Sequence, residues 1–344
     1  MKDKSQLQVL VSAIGGDVGQ AIVKSLKLSK RKIACHGCDI EDNGIGKLFV
    51  DSFQVVPPAT EQSYVKEIDG LCSDLCIDTF IPASEQEISF LSKFGNIQQL
   101  PNGIPFICQN ASIIRTYGDK LRSMQALDKK INIALYADGK NIRAVSKLIQ
   151  KTGYPVVVKE RISRGSKSVH IANNTEELKT ALLYCDLPLV QEYIDDDFGE
   201  YSIGIFSDDQ QIQAIAFRRS LGLTGASWYA ETCDDPDVLE YGKNIARIIS
   251  PHGSINIQVR KSSKGVKLLE VNPRFSSLTA ARAICGFNDV EWSLDLVLKG
   301  SVDIGRSSTR RVRFKRYISE LIDFGNGFET IPEWMPEKQK YDKT

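Results

Sequence analysis

This 344-residue chain contains few histidines and lacks long apolar segments. The three histidines, His36, His170 and His252, are scattered and form no cluster typical of a histidine-ligated metal centre. No apolar run approaches the ~20 residues that a membrane-spanning helix needs, and the amino terminus leads into a strand-like run rather than a secretory segment. Acidic and basic residues nearly cancel, at 43 and 44, and give no reason to expect nucleic-acid binding. We therefore expect a soluble, cytoplasmic protein that binds neither membranes nor nucleic acids.

The eight cysteines include two closely spaced pairs, which raises the question of a zinc site. Cys35 and Cys38 have Cys-x-x-Cys spacing, and Cys72 and Cys76 are separated by three residues. Structural zinc sites hold such pairs in tight turns. Here Cys35 ends a strand-like segment, and the second pair falls in a predicted helix. The pattern favours free thiols, buried or half-buried, in a reducing compartment.

The first 110 residues have the pattern of an open parallel sheet with helices between its strands. A continuous apolar run is followed by a glycine turn, an amphipathic helix and a second strand, which together predict a βαβ unit. The predicted strands are 7–14, 33–38, 54–56, 79–82 and 105–108. We expect a Rossmann-like domain over residues 1–110, with a sheet of about five strands.

The glycine turn also matches part of a dinucleotide-binding fingerprint. Gly16 and Gly19 occupy the third and sixth positions of the motif, but Ile14 holds the first. Asp39 lies where the ribose-binding acid of such a motif would be. An NAD(P)-binding protein is therefore an alternative, and the other interpretation is a structural turn or a pocket for an anionic substrate group at the helix N-terminus.

Residues 270–274 read EVNPR, and they predict a cation site on one face of a strand. Glu270 and Asn272 alternate, so their side chains point the same way. Gln258 lies in an earlier strand-like run, and a hairpin through residues 260–267 would bring it alongside. Three oxygen donors on one face suit Mg²⁺, and Arg274 offers a planar cation beside bound phosphates. The alternative is a polar strand end with a capping asparagine and a proline turn.

Between residues 111 and 200, lysines and a basic loop stand at the ends of predicted elements. Lys120 opens a helix, and Lys159 follows three valines in what should be a buried strand. The loop 162–168 is polar, basic and glycine-containing, and its alternative interpretation is an ordinary hairpin turn. Glu200 follows an acidic run that we interpret as a solvated turn.

Taken in chain order, nine typed positions resemble the ATP-grasp superfamily. They are Lys120, Lys159, the loop 162–168, Glu192, Glu200, Gln258, Glu270, Asn272 and Arg274. More closely, the chain resembles the members related to one synthetase half of carbamoyl-phosphate synthase and to the pyrrolysine-pathway ligase, over residues 7 to about 300. The resemblance implies an α/β and α+β ATP-grasp fold behind the Rossmann-like domain. It implies a small lobe at 111–187, a large lobe with the metal site at 188–300, and a C-terminal strand and tail at 301–344.

The resemblance implies how this chain would hold the phosphates of ATP. Lys120 and Lys159 would place ammonium groups against them, and Gly165 and Ser166 would fold over the β- and γ-phosphates. Lys159 and Arg274 would act in catalysis by stabilising the transferring phosphoryl group.

The same resemblance implies an adenine and ribose site on a hinge strand. The carbonyl of Glu192 would accept a hydrogen bond from the adenine amine, and the N–H of Ile194 would donate one to a ring nitrogen. Glu200 would accept from the ribose hydroxyls. The implied cofactors are ATP and two Mg²⁺ ions, or Mn²⁺, held by Gln258, Glu270 and Asn272.

The residue at position 258 indicates which subgroup of the ATP-grasp superfamily the chain resembles. Gln258 is a neutral amide where many ATP-grasp ligases have an acid, as in the carbamoyl-phosphate synthase group. Residues 224–227, TGAS, also resemble that group, but Leu223 replaces the histidine that often precedes the motif. Arg218 and Arg219 lead into this segment, and strand alternation lets only one of them face the cleft. Carbamoyl phosphate synthesis needs two synthetase halves, and this chain has one.

The implied function is an ATP-dependent carboxylate–amine ligase that forms an acyl phosphate and releases ADP and phosphate. A small-molecule kinase, or another carboxylate-phosphorylating enzyme on the same fold, is the second alternative. Its partners would be a small carboxylic acid and an amine, and a homodimer stays open. We interpret the basic run 310–317 as a half-exposed strand rather than a nucleic-acid patch, and the last twenty or so residues as a loosely held tail.

Overall fold

The computed structural model describes residues 6–42, 44–94, 98–162, 169–195, 197–208, 210–222, 225–304, 310–318, 321–323, 325 and 328–329. Its helices are α1 Asp17–Lys27, α2 Tyr64–Asp74, α3 Glu85–Leu91, α4 Ala111–Tyr117, α5 Lys120–Leu127, α6 Ile142–Thr152, α7 Thr175–Leu183, α8 Pro236–Ile249, α9 Thr279–Ile284 and α10 Asp289–Lys299, with short 3₁₀ helices at Ile45–Phe49 and Ser92–Phe94. Its strands are β1 Leu7–Ser12, β2 Ile33–Asp39, β3 Ser52–Val55, β4 Thr79–Ile81, β5 Tyr136–Asp138, β6 Val156–Glu160, β7 Val169–Ala172, β8 Pro188–Glu192, β9 Glu200–Ser207, β10 Ile212–Leu221, β11 Ser227–Cys233, β12 Gly253–Ser262, β13 Gly265–Asn272, β14 Arg313–Lys315, β15 Ile322–Asp323 and β16 Phe328–Glu329.

The amino-terminal sheet is parallel, in the order β3-β2-β1-β4, and it has four strands. Its central strand β1 is buried on both faces, which explains its continuous apolar sequence. The prediction of a fifth strand at 105–108 was wrong, because this segment makes isolated bridges alone, from Phe106 to Phe80 and from Pro105 to Gln99. The chain then turns away from the sheet, and the side-chain amide of Gln109 hydrogen-bonds the backbone of His252 and Ser254.

A second, smaller sheet has the order β5-β8-β6-β7 and packs against α6 and α7. The predicted lobe boundary between 187 and 188 would put β8 with the large lobe. In the structure β8 pairs antiparallel with both β5 and β6. Sheet membership depends on a strand's neighbours, which its own sequence does not encode. We therefore propose that the small lobe extends through Glu192 and that the hinge follows it.

The largest sheet is antiparallel, in the order β13-β12-β9-β10-β11-β14. Helix α8 covers one face and helices α9 and α10 the other, each over an apolar cluster. The basic run near the end of the chain forms the edge strand β14, paired with β11. Phe314 in this strand is half-buried while Arg313 and Lys315 are exposed, so the half-exposed strand predicted there is present.

Seven of the eight cysteines are buried or half-buried as predicted, whereas Cys76 is exposed and lies just beyond the end of α2. Cys35 and Cys38 both lie on the extended strand β2 rather than in a turn, and all eight cysteines are free thiols. Over the described residues, no cluster of histidine, cysteine and acidic side chains could hold a metal ion by itself. Within the same residues, no helix is long and apolar enough to cross a membrane.

Candidate functional site

A cleft of about 920 Å³ lies between the small and large sheets and reaches the amino-terminal sheet at one end. The site residues predicted from the sequence that line it are Lys120, Lys159, Glu192, Ile194, Glu200, Gln258, Glu270, Asn272 and Arg274. Gly165 and Ser166 lie outside the described residues, so their predicted contact with phosphates stays a prediction. The fold therefore brings together, in one cavity, side chains separated by more than 150 positions in the sequence.

The predicted metal ligands share one face of the β12–β13 hairpin. Gln258 pairs directly with Glu270 in the strand register, and Asn256 pairs with Asn272. Directly opposed residues on antiparallel strands point to the same side of a sheet. The amide of Asn272 donates to a carboxylate oxygen of Glu270 over 3.0 Å. One carboxylate with two amide oxygens fits Mg²⁺, which takes few protein oxygens and keeps waters and phosphate oxygens as its other ligands.

Two lysines converge on the carboxylate of Glu270. The ammonium of Lys120 lies 3.6 Å from it, and burial alone would raise the pKa of Glu270. The positive charges of Lys120 and Lys159 outweigh burial and hold the pKa of Glu270 at about 2. The carboxylate is therefore ionised at neutral pH, as a metal ligand must be.

Lys159 is a deeply placed cation of the cleft. Its side chain is buried at the end of β6, and its ammonium donates to the carbonyl of Leu269 over 2.9 Å. Burial lowers the pKa of Lys159 to about 8, and the like charge of Lys120 contributes in the same direction. Glu270 acts in the opposite direction and keeps the amine from losing its proton entirely. A buried ammonium with a lowered pKa is a group whose charge an incoming polyphosphate would stabilise.

Lys120 is positioned by a contact that the sequence did not reveal. Asp119 caps the N-terminus of α5 by accepting from the backbone N–H groups of Leu121 and Arg122. The same carboxylate accepts two hydrogen bonds from Arg161, which directly follows β6. The backbone N–H of Lys120 in turn donates to the carbonyl of Arg161. The helix that presents Lys120 is thus tied to the strand that presents Lys159.

We expect Asp119→Ala to weaken nucleotide binding as well as the fold. Losing the helix cap and the bond to Arg161 should lower the free energy of unfolding by about 2 kcal/mol. The affinity for MgATP should also fall, because Lys120 loses its fixed position. Asn174→Ala is the matched control, since Asn174 caps α7 away from the cleft and should cost stability alone. Thermal unfolding with and without MgATP separates the two effects, and equal nucleotide shifts in both variants would contradict the positioning role.

The predicted adenine end is built from the hinge after β8 and apolar side chains of both sheets. Val157, Ile171 and Leu269 line the cleft there. The carboxylate of Glu192 forms an ion pair with Lys267, and its backbone N–H donates to the carbonyl of Leu135 over 2.9 Å, so the predicted adenine contact through the Glu192 carbonyl stays a prediction. The carbonyl of Ile194 accepts from Arg260 over 2.8 Å, which fixes the hinge against the large sheet.

Glu200, the predicted ribose acceptor, already holds two arginines. Arg219 donates to one carboxylate oxygen over 2.7 Å, and Arg260 donates to the other over 2.9 Å. The sequence did not show whether Arg218 or Arg219 faces the cleft, and the strand register decides between them. The side chain of Arg219 is 6 % exposed and lies in the cleft. Arg218 is exposed, and its side chain lies beside Gly199. A ribose hydroxyl bound by Glu200 would therefore join an existing arginine network.

Arg274 is held by the amino-terminal unit. Its guanidinium forms an ion pair with Glu85, the first residue of α3, and also donates to the carbonyl of Phe275 over 2.8 Å. Glu85 and Arg274 are 189 positions apart, so only the folded arrangement shows that they meet. The contact brings the edge of the Rossmann-like unit to the side of the predicted metal face.

The glycine turn lies at the same end of the cleft. Gly16 and Gly19 line the cavity. The carboxylate of Asp39 accepts from the backbone N–H of Gly15 over 2.7 Å and from that of Ile40 over 2.7 Å, so it closes the turn internally. A Cβ at Gly19 would lie 2.3 Å from the carbonyl oxygen of Ala13, which is why glycine is required there. This geometry favours the structural interpretation of the turn over ribose recognition by Asp39.

A buried polar network lies beneath the predicted metal face, and no pattern in the sequence indicated it. Arg282 is fully buried and forms an ion pair with Asp289 over 2.9 Å. It also hydrogen-bonds Ser276 and the side-chain oxygen of Asn256, which lies two residues before Gln258 on β12 and pairs with Asn272 on β13. Gly204 leaves the space that the guanidinium fills, because a Cβ there would lie 2.5 Å from it. The network fixes Asn256 at the floor of the cleft.

Comparison with known proteins agrees with this architecture. Residues 185–318 match a family model described as ATP-grasp in the biosynthetic pathway with Ter operon. Among solved structures, the biotin carboxylase domain dimer of Hydrogenobacter thermophilus 2-oxoglutarate carboxylase, bound to MgADP, ADP and bicarbonate, aligns with a TM-score of 0.68 at 17% identity, over 86% of this chain and 70% of that one. A carboxyaminoimidazole ribonucleotide synthase from Aspergillus clavatus, bound to ATP, aligns with a TM-score of 0.68 at 13% identity, over 89% and 80%.

Curated relatives give the same grouping at the level of sequence. The alpha subunit of methylcrotonoyl-CoA carboxylase from Arabidopsis thaliana is 24% identical over 190 residues, which are 53% of this chain and 26% of that protein. The carbamoyl phosphate synthase large chain of Haemophilus ducreyi is 22% identical over 191 residues, 51% of this chain and 18% of that protein. This chain thus spans about a quarter or less of these relatives.

The chain therefore has the ATP-grasp fold of these solved structures, and its residues 185–318 match an ATP-grasp family model. The resemblance to the ATP-grasp superfamily, and within it to carbamoyl-phosphate synthase, that the sequence predicted is confirmed. The fold class is confirmed as well, since a parallel amino-terminal sheet precedes the two antiparallel sheets that enclose the cleft. The ligands predicted from the sequence, a nucleotide and Mg²⁺, are those bound in the neighbouring structures.

Proposed function

We propose that this protein is an ATP-dependent carboxylate–amine ligase that works through an acyl phosphate and releases ADP and phosphate. The observation that carries the proposal is the convergence of Lys120 and Lys159 on Glu270, with Asn272 and Gln258 on the same face and Arg274 beside them. Charged groups of both signs, in a cleft between two sheets, suit a polyphosphate with its metal ions. The ATP-grasp fold supports the same conclusion.

The cations of the cleft would stabilise phosphoryl transfer. Lys120 and Lys159 would bind the phosphate oxygens, and Arg274, oriented by Glu85, would face the group being transferred. Mg²⁺ would be held by Glu270, Asn272 and Gln258, and it would neutralise charge on the phosphates. Because this chemistry is positioning and charge stabilisation, it needs no covalent nucleophile from the protein.

An oxygen of the substrate carboxylate would attack the γ-phosphorus. A new oxygen–phosphorus bond forms, and the bond between the γ-phosphorus and the bridging oxygen breaks, so that this oxygen leaves with ADP. The amine would then attack the acyl carbon and expel phosphate, leaving an amide. The walls near the amino-terminal unit, which include Glu85 and the glycine turn, would shield the acyl phosphate from water. Lys159 and Arg274 would stabilise the phosphoryl group during its transfer, and Glu270 would contribute by holding Mg²⁺.

We expect the products to be ADP and phosphate rather than AMP and pyrophosphate. The cationic groups and the predicted metal face gather at one place, which matches transfer of the terminal phosphoryl group. With the right acid present, hydroxylamine should intercept the acyl phosphate and give a hydroxamate. Oxygen-18 placed in the substrate carboxylate should appear in the released phosphate.

The same experiment separates the ligase from its alternatives. AMP as product, or label absent from phosphate, would contradict the acyl-phosphate route while leaving the fold untouched. ADP formation that reaches its full rate without an amine, with a stable phosphorylated product, would instead show a small-molecule kinase. A panel of acids with and without amines, read out by ADP release, provides the test.

A further inference from the structure

Two cations from distant parts of the chain lie close enough to interact in the cleft. Lys24 is on α1 of the amino-terminal unit, and Arg316 directly follows the edge strand β14 of the large sheet. Both line the cleft, together with the glycine turn and Trp228. Burial, and then the like charge of Arg316, lower the pKa of Lys24, so the two charges act on each other.

Neither cation is neutralised within the described part of the chain. No carboxylate of that part lies within ion-pair distance of Lys24 or of Arg316. Among the described acidic residues of the amino-terminal unit, Asp17 and Glu85 line the cleft, and Arg274 already binds Glu85. Placing like charges together costs free energy unless an anion joins them.

The guanidinium of Arg316 is fixed in place by neutral groups. It donates to the carbonyls of Ser227 and Ser277 over 2.9 and 3.0 Å, and its backbone N–H donates to the carbonyl of Trp228 over 2.8 Å. A guanidinium has five N–H donors, and these carbonyl bonds use two of them. Such an arrangement orients a cation without cancelling its charge, which suits recognition of a carboxylate or phosphate.

We propose that Lys24 and Arg316 bind a second anionic group of the substrate, a carboxylate or a phosphate remote from the carboxylate that reacts. The proposal rests on the proposed function, because the reacting carboxylate is the one activated beside Glu270 and Arg274. The substrate is then a dicarboxylic or phosphorylated acid. Its two anionic ends are recognised by different parts of the fold, and a simple monocarboxylic acid is a poor substrate.

Matched small acids test the proposal. Glutarate and 3-phosphonopropionate each carry a carboxylate that could react and a second anionic group. Butyrate carries the carboxylate but no second anionic group. Their affinities are measured by calorimetry at constant ionic strength, with a non-hydrolysable ATP analogue and Mg²⁺ present and again without nucleotide. We expect at least one of the two dianions to bind about tenfold or more tightly than butyrate, and the tighter of them distinguishes carboxylate from phosphate recognition.

Variants then assign the binding to these two residues. Lys24→Ala and Arg316→Ala should each weaken dianion binding about tenfold and leave butyrate unchanged. Lys27→Ala on the same helix and Arg311→Ala, whose side chain is 87 % exposed, should bind as wild type. Equal affinity of wild type for all three acids, or unchanged dianion binding in both cleft variants, would overturn the proposal. Analogue binding is measured separately, so failure of the nucleotide site would be recognised as such.

Discussion

Replacing Glu270 with glutamine should lower the rate of ADP formation by about a hundredfold or more, with the fold retained. Glu270 is the one carboxylate on the predicted metal face, and its pKa of about 2 makes it a full negative charge at neutral pH. Glutamine keeps the shape and the contact with Asn272 but removes the charge that attracts Mg²⁺. The residue faces the cleft rather than a core, so unfolding should stay cooperative.

The measurement is ADP release as a function of Mg²⁺ concentration, with thermal unfolding in parallel. The mutant should need far more Mg²⁺ than the wild type. Glu240→Gln is the matched control, because Glu240 lies on the exposed face of α8 and pairs with Arg247. Wild-type turnover and an unchanged Mg²⁺ requirement in Glu270→Gln would remove the metal assignment.

The affinity of the wild-type protein for MgATP should fall about tenfold between pH 7 and pH 9. Lys159 has a pKa of about 8 in the nucleotide-free protein, mainly because it is buried. Only its protonated form attracts phosphate, so each pH unit above that pKa costs up to about a factor of ten in affinity. Below pH 7 the amine is already charged, and the affinity should level off.

Lys159→Met should bind MgATP about tenfold or more weakly at pH 7 and lose this pH dependence. Lys151→Met, at the exposed end of α6, is the control and should follow the wild-type profile. Calorimetric titrations at saturating Mg²⁺, from about pH 6.5 to about pH 9.5, give both curves. A Lys159→Met profile parallel to the wild type would show that another group titrates in this window.

Local geometry of the site could be predicted from sequence because it depends on strand alternation. The period of two places Glu270 and Asn272 on one face, and a short hairpin brings Gln258 opposite Glu270. Alternation also limited Arg218 and Arg219 to one cleft-facing residue. It could not choose between them, because the choice depends on which face of β10 meets Glu200 on β9.

Contacts between distant elements could not be predicted. Arg274 meets Glu85, and Lys24 lies near Arg316, through packing between separate sheets that leaves no periodic signal in the sequence. The sheet that β8 joins could not be predicted for the same reason, since an apolar strand is compatible with either lobe. The fold class needed less information, because patterns of apolar runs and turns suffice for it.

The ion pair between Glu85 and Arg274 limits how this architecture can be rearranged. A fragment beginning at residue 111 would contain both antiparallel sheets and the predicted metal face, but it would leave the guanidinium of Arg274 without its counter-charge. Exchange of the amino-terminal unit for that of a relative would therefore preserve activity only where the donor supplies an acid at the start of its third helix. In recombination between such proteins, the two segments should be inherited together.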